Sequence, residues 1–210
     1  MRKIFYYILF LAVVKIFFIT SIYFLVNYNW IEVPTNISKV RIQQKTWLHS
    51  FVLIGFIGPL LEEFMFRLAL IFKPIYLATS FSIVFLYLYS YYTGTELASF
   101  DSFLYRAIIA ILLFFLVYKL CSKYSHFMNH IWINHTNKIV VVMSFLFGLF
   151  HFMNYDRESL SFVNSFVILI PHFISGLIYS HLRLKYDFLS VVITHILFNM
   201  MGILITKILL

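Results

Sequence analysis

The chain has 210 residues, 62% of them hydrophobic and 11% charged, whereas soluble domains run at about 45–50% apolar and about 25% charged. That balance excludes a water-soluble fold, which would lack the polar side chains to cover its core. At about 20 residues per spanning helix there is room for roughly seven helices and for no separate soluble domain, so residues 1–210 are expected to form one integral membrane domain. The formal charge of +8 comes from 16 Lys and Arg against eight acidic residues; the cations form no basic block, which points to loop orientation and headgroup contact with the lipid bilayer and against nucleic-acid binding.

In chain order, Met1-Arg2-Lys3 opens an apolar run that is interrupted by Lys15 and continues to Val26. No small-x-small cleavage site precedes Asn27, so the run is expected to be a retained first span rather than a signal peptide. Further apolar runs predict spans near 47–72, 75–92, 102–120, 138–153, 162–181 and 188–208, after the first at 4–27. The runs are continuous rather than alternating, which argues against a β-barrel and for an all-α polytopic helix bundle. The lone cysteine, Cys121, excludes an internal disulfide and is expected as a small apolar residue at a helix end.

With the amino terminus inside, the cytoplasmic loops collect Arg2, Lys3, Lys73, Lys119, Lys123, Lys138, Arg183 and Lys185, while Glu96, Asp101, Asp156 and Glu158 fall outside. Lys39, Arg41 and Lys45 count against that orientation, and an additional short segment near 30–45 or 122–137 would change the parity.

Of the eight acidic residues only Glu62 and Glu63 lie deep in an apolar run. A carboxylate at the bilayer centre costs on the order of 3 kcal/mol on insertion scales, so an adjacent pair demands a partner or a water-filled cavity. Glu63 and Arg67 are four apart with the acid on the amino-terminal side, the favourable order for a helical ion pair. Glu62 is rotated by about 100° from Glu63 and is then the carboxylate available for general-base work. Gly58-Pro59, just upstream, predicts a kink that frees backbone groups and admits water. Without chemistry, the same residues read as an ion-pair network that pins helices together.

Two more polar sites fall within spans. In Phe147-Gly148-Leu149-Phe150-His151, Phe147 is one turn from His151 and can pack on it, while Gly148 permits close helix approach. In Thr194-His195-Ile196-Leu197-Phe198-Asn199, the spacing of four puts His195 and Asn199 on one helix face, where two donors suit a developing oxyanion or, structurally, a polar seam. His172 follows Pro171 and is expected to be mainly structural, with a secondary place in a cavity; His49, His126, His130, His135 and His181 fall near interfaces or in loops. The three histidines in 126–135 match no strong metal-ligand spacing.

The three motifs EExxxR, FxxxH and HxxxN, in this order on separate spans from about Phe56 to Gly202, resemble those of the intramembrane endopeptidases that include the type II CAAX prenyl protease and the bacterial CAAX-protease and bacteriocin-processing proteins. Leu68 departs from that pattern, in which Gly often follows the Arg. The resemblance implies that Glu62, helped by His151, binds and deprotonates a water that attacks the scissile carbonyl. It implies further that His195 and Asn199 stabilise the oxyanion while Glu63 and Arg67 orient and charge-balance the site. The implied partner is a membrane-associated or lipidated peptide or protein, and the implied location is the bacterial cytoplasmic membrane. A non-catalytic peptide-binding or bacteriocin self-immunity protein and a proton-coupled transporter are the alternatives. The transporter lacks the internal repeat expected of it.

No cofactor is expected. Glu62, Glu63, His151 and His195, with His172 as a remote addition, hold enough donor atoms for zinc, which takes three protein ligands and a water in catalytic sites, so zinc stays open as an alternative. Against it, Glu63 has Arg67 as its partner, and Asn199 stands where a helical HExxH motif would supply a second His.

Overall fold

The computed structural model describes residues 2–32, 35–94, 103–156 and 161–209; Glu96, Asp101 and Glu158 of the expected outer loops lie outside them. Among the described residues the secondary structure is helical, apart from an isolated antiparallel bridge between Asn36 and Tyr155. Among the described residues six helical stretches are long and apolar enough to cross a membrane: Ile4–Asn27, Pro74–Thr93, Phe103–Lys123, Thr136–Asn154, Asn164–Lys185 and Phe188–Ile208. The helices are α1 (Arg2–Asn27), α2 (Ile37–Gln44), α3 (Trp47–His49), α4 (Gly58–Phe66), α5 (Pro74–Thr93), α6 (Phe103–Lys123), α7 (Ser125–Asn134), α8 (Thr136–Phe150), α9 (Phe162–Lys185) and α10 (Phe188–Leu209).

The apolar run expected to span at 47–72 is a composite. It consists of α3, a π-helical segment Ser50–Ile57, α4 and a 3-10 turn Leu68–Leu70. Pro59 explains the change of pitch: it has no N–H, and in a regular α-helix its ring would clash with the carbonyl four residues back. Widening the ladder one turn earlier avoids that clash, and Gly58 N–H duly donates to Leu53 O, five residues back. The kink expected at Gly58-Pro59 therefore takes the form of a π segment. Short helices α2 and α7 occupy the two stretches flagged as additional segments.

The chain divides into two compact units, Met1–Leu60 with Val141–Leu210, and Leu61–Val140. In the first, α10 packs against α1, α9, α2 and the π segment. The close approaches are made at glycines. A Cβ on Gly55 would lie 3.1 Å from Ile203 Cδ1 and 3.2 Å from Met200 Cγ of α10. One on Gly176 of α9 would lie 3.0 Å from the Ser144 Cα and Cβ of α8, and one on Gly148 would lie 2.7 Å from Leu169 Cδ1. Small residues let helix backbones approach where the surrounding solvent offers no hydrophobic drive, and the Ser144 and Ser180 hydroxyls meet at 3.3 Å across the same seam.

In the second unit α5 packs on α6. Pro74 starts α5 in the first turn, where a missing N–H costs nothing. Gly94, at φ 67°, ends it in the left-handed conformation that only glycine adopts freely. The described stretch after α4 is closed by side chains: Ser80 Oγ donates to Met65 O, and Trp132 Nε1 donates to Ala69 O at 2.8 Å. Both satisfy carbonyls at helix ends, which would otherwise stay unbonded in an apolar setting.

The glycine contacts generate a paired test. Gly176→Ala places a methyl against the Ser144 backbone, which cannot move aside as a side-chain tip can, and should destabilise the protein by about 1–3 kcal/mol. Gly202→Ala meets nothing nearer than Lys15 Nζ at 3.7 Å and should be neutral or slightly stabilising, as replacing a mid-helix glycine usually is. Thermal denaturation of the detergent-solubilised variants measures the difference.

Candidate active site

In the second unit, the motif Glu62-Glu63 sits on the last two turns of α4. Arg67 Nε lies 3.5 Å from Glu63 Oε2, and both side chains are fully buried, so the expected i,i+4 ion pair forms. Glu62 is half-buried. Arg67 ends the helix: its N–H still donates to Glu63 O at 2.9 Å, after which the chain tightens into Leu68–Leu70. A second buried arginine, Arg106 of α6, donates from Nη1 to Ser90 Oγ at 2.9 Å and is 2% exposed. Sequence reading missed it because Arg106 lies four residues inside the expected start of its span, where an arginine reads as an interfacial residue.

In the first unit, the other motif residues converge on one cavity of about 240 Å³. His151 comes from the end of α8, at the point where the helix tightens into the 3-10 turn His151–Asn154. Its Nδ1 lies 2.8 Å from Phe147 O. A carbonyl oxygen can only accept, so Nδ1 carries the proton and donates, and in the neutral ring Nε2 keeps a lone pair. His151 stacks on His172 of α9 with centroids 3.7 Å apart and planes 22° from parallel. Pro171, beside it, withholds the donor that would have bonded the Val167 carbonyl one turn earlier, which loosens α9 where it lines the cavity.

His195 and Asn199 of α10 both line this cavity, in keeping with the one helix face that their spacing gives. His195 stacks on Tyr179 of α9 at 4.4 Å and 27° and is 3% exposed. Phe147 meets the edges of both stacks, with centroids 4.5 Å from His151, 6.0 Å from His195 and 6.3 Å from Tyr179. The aromatic one turn before His151 thus orients both imidazoles. Asn199 Nδ2 lies 3.4 Å from Ile54 O in the π segment; an amide nitrogen has two hydrogens, so this contact engages only one of them. Tyr155, beyond the end of its span, also lines the cavity, and burial pushes its phenol up, which keeps it a neutral donor.

His172 is therefore a cavity residue as well as a packing one. Tyr179 gave no signal in a chain with 15 tyrosines. Lys15, visible only as a break in the first apolar run, also lines the cavity. His126, His130 and His135 lie on or beside α7, exposed, with His130 Nε2 2.8 Å from Asn134 Nδ2. Among the described residues no three His, Cys, Asp or Glu side chains gather as a metal site.

A cavity that holds two oriented imidazoles and a carboxamide can position water and donate hydrogen bonds to a carbonyl oxygen. On α4, Glu62 is half-buried and Glu63 is buried against Arg67. A family model described as type II CAAX prenyl endopeptidase Rce1-like matches residues 44–201, which include α4, His151, His195 and Asn199 and leave α1 outside. No curated protein and no solved structure matches the chain significantly. The matched stretch is most of the chain, and with six helices apolar enough to span, the protein is an integral, multi-pass membrane peptidase that belongs to the type II CAAX prenyl endopeptidase Rce1-like family.

Proposed function

We propose that the protein hydrolyses a peptide bond in a membrane-associated, lipidated polypeptide of the bacterial cytoplasmic membrane, with Glu62 as the general base that takes a proton from water. His151, with Nδ1 engaged by the Phe147 carbonyl, holds that water through Nε2. The water oxygen forms the new bond to the scissile carbonyl carbon, and His195 and Asn199 donate to the oxygen on which negative charge develops. Collapse of the intermediate expels the amine, which takes up the proton from Glu62. Glu63 and Arg67 hold α4 and balance the charge of Glu62. The observation that supports this reading is the convergence of His151, His195 and Asn199 on one cavity, with His151 Nδ1 turned to the Phe147 carbonyl: two imidazoles and a carboxamide are groups that can hold a water and donate to a carbonyl oxygen.

Glu62→Gln keeps the shape and loses the base, so turnover should fall below about a tenth of wild type with the fold intact. Glu63→Gln should behave differently, since it deprives the fully buried Arg67 of its carboxylate. Breaking a buried pair in this way costs about 3–5 kcal/mol, so stability and activity should drop together. Steady-state cleavage of a farnesylated peptide, with melting temperatures measured alongside, separates the two; a stable but inactive Glu63→Gln would exchange the assignments.

His195→Ala and Asn199→Ala should each lower kcat by about 100- to 1000-fold with little change in KM, as expected for donors that act on the transition state. A raised KM with kcat unchanged would assign them to substrate binding.

The reaction is proposed to need no metal. The lone pairs of an imidazole lie in the ring plane, so the stacked rings of His151 and His172 direct theirs side by side rather than towards one ion, and a catalytic zinc needs about three converging ligands. Cleavage should survive prolonged treatment with a membrane-permeant chelator. Stoichiometric bound zinc, with chelator-sensitive activity that added zinc restores, would overturn this.

A further inference from the structure

Helix α7 (Ser125–Asn134) joins the end of α6 to the start of α8. Its ten residues cover about 15 Å at about 1.5 Å each, too little to cross a bilayer, which takes about 20 residues, so α7 lies along the membrane surface between two spans. Met128, Ile131 and Trp132 form its half-buried inner face, while His126, Asn129 and His130 are exposed on the other. Phe127 and Ile133, 63% and 68% exposed, flank that polar face. Exposed apolar side chains beside cationic ones are the mark of a helix seated in the headgroup layer. Lys119 and Lys123 at the end of α6 and Lys138 at the start of α8 stand at either end of α7, all exposed. Lys119 and Lys123 are four apart on one helix, a spacing at which like charges repel. Among the described residues none of these lysines is ion-paired with a carboxylate, and the chain has no acidic residue from Phe103 to Val140. The counter-charge for this end of the unit has to come from outside it.

The inner face of α7 is tied to the end of the helix that carries Glu62, Glu63 and Arg67. Trp132 Nε1 donates to Ala69 O at 2.8 Å, and the Trp132 ring meets that of Phe72 at 5.6 Å between centroids. Ala69 is fully buried in the 3-10 turn that follows Arg67 directly. We infer that α7 is a docking surface for anionic phospholipid headgroups, and that lipid seated there steadies residues 68–72 through Trp132. Charge complementarity selects this occupant. Anionic headgroups attract lysines at the membrane surface, and the lysine stems can lie along the apolar boundary while their ammonium groups reach the phosphates. Phe127 and Ile133 enter the acyl boundary beneath the same headgroups. A neutral headgroup layer would leave the three lysines with no net counter-charge. The inference does not depend on the peptidase reading, since lipid binding and the ordering of residues 68–72 need no turnover.

The test uses Trp132 as a reporter. The double variant Trp30→Phe/Trp47→Phe, which keeps Trp132 as its one tryptophan, is placed in phosphatidylcholine nanodiscs doped with pyrene-labelled phosphatidylglycerol or pyrene-labelled phosphatidylcholine. Energy transfer from Trp132 should show phosphatidylglycerol enriched at least about fivefold over phosphatidylcholine, the factor that a single lysine at an anionic surface implies. Adding Lys119→Gln, Lys123→Gln and Lys138→Gln together should remove the enrichment, and the three Lys→Arg changes should keep it. Salt at about 1 M, where the screening length falls to about 3 Å, should remove it from the protein that retains its lysines. Amide hydrogen exchange at residues 68–72 should be about tenfold slower in phosphatidylglycerol than in phosphatidylcholine nanodiscs, and Trp132→Phe should abolish that difference. Equal transfer to the two lipids, or enrichment that survives either the Gln changes or high salt, overturns the inference; if the Gln variant fails to fold, the salt series decides. Enrichment with unchanged exchange at residues 68–72 overturns the link through Trp132. Disulfide crosslinking of Asn129→Cys between two molecules, without lipid enrichment, would assign the face to a second copy of the chain and overturn the inference equally.

Discussion

Hydrocarbon offers no hydrogen bonds and no counter-ions, so each polar group within the spanning helices must find its partner inside the protein. The fully buried Glu63–Arg67 pair is the clearest response to that constraint. It lets an acid and a basic side chain lie together at the end of α4, buried from the hydrocarbon. The same constraint accounts for Ser80 and Trp132, whose side chains satisfy carbonyls after that helix, and for Arg106 donating to Ser90 between α5 and α6. Polar groups that would be incidental in water here decide which helices pack.

In the other unit the constraint acts on the histidines. His151 uses a backbone carbonyl of its own helix, the Phe147 oxygen, which favours a proton on Nδ1. His195 and His172 are steadied by stacking, on Tyr179 and on His151 itself. Stacking restrains each imidazole without using a ring nitrogen. Close packing at Gly55, Gly148 and Gly176 brings α8, α9, α10 and the π segment near enough for these contacts. A cavity with polar groups on one side and α1 on the other follows from that geometry.

Much of this was legible before any coordinates. A carboxylate pair in an apolar run is conspicuous, and helical spacing alone predicted the Glu63–Arg67 pair, the Phe147–His151 contact and the shared face of His195 and Asn199. Contacts between distant helices were not legible. His172 and Tyr179 gain their places from partners on other spans, and one tyrosine among many carries no local signature. Lys15 was visible as an interruption, but which way it faces depends on how α1 packs against α9 and α10. Gly58-Pro59 predicted a distortion; its π form depends on how the lost bond is redistributed along a segment pressed against α10 at Gly55.

The central claim is that Glu62 supplies the base for hydrolysis in the membrane. It is tested most directly by comparing the peptide termini in membranes from cells carrying the wild type with those from cells carrying Glu62→Gln at equal abundance. The account predicts a carboxy terminus on a membrane-associated protein that only the wild type generates, with the uncut form accumulating in the variant. Identical termini in the two membranes, or a wild-type terminus that Glu62→Gln still produces, would contradict it.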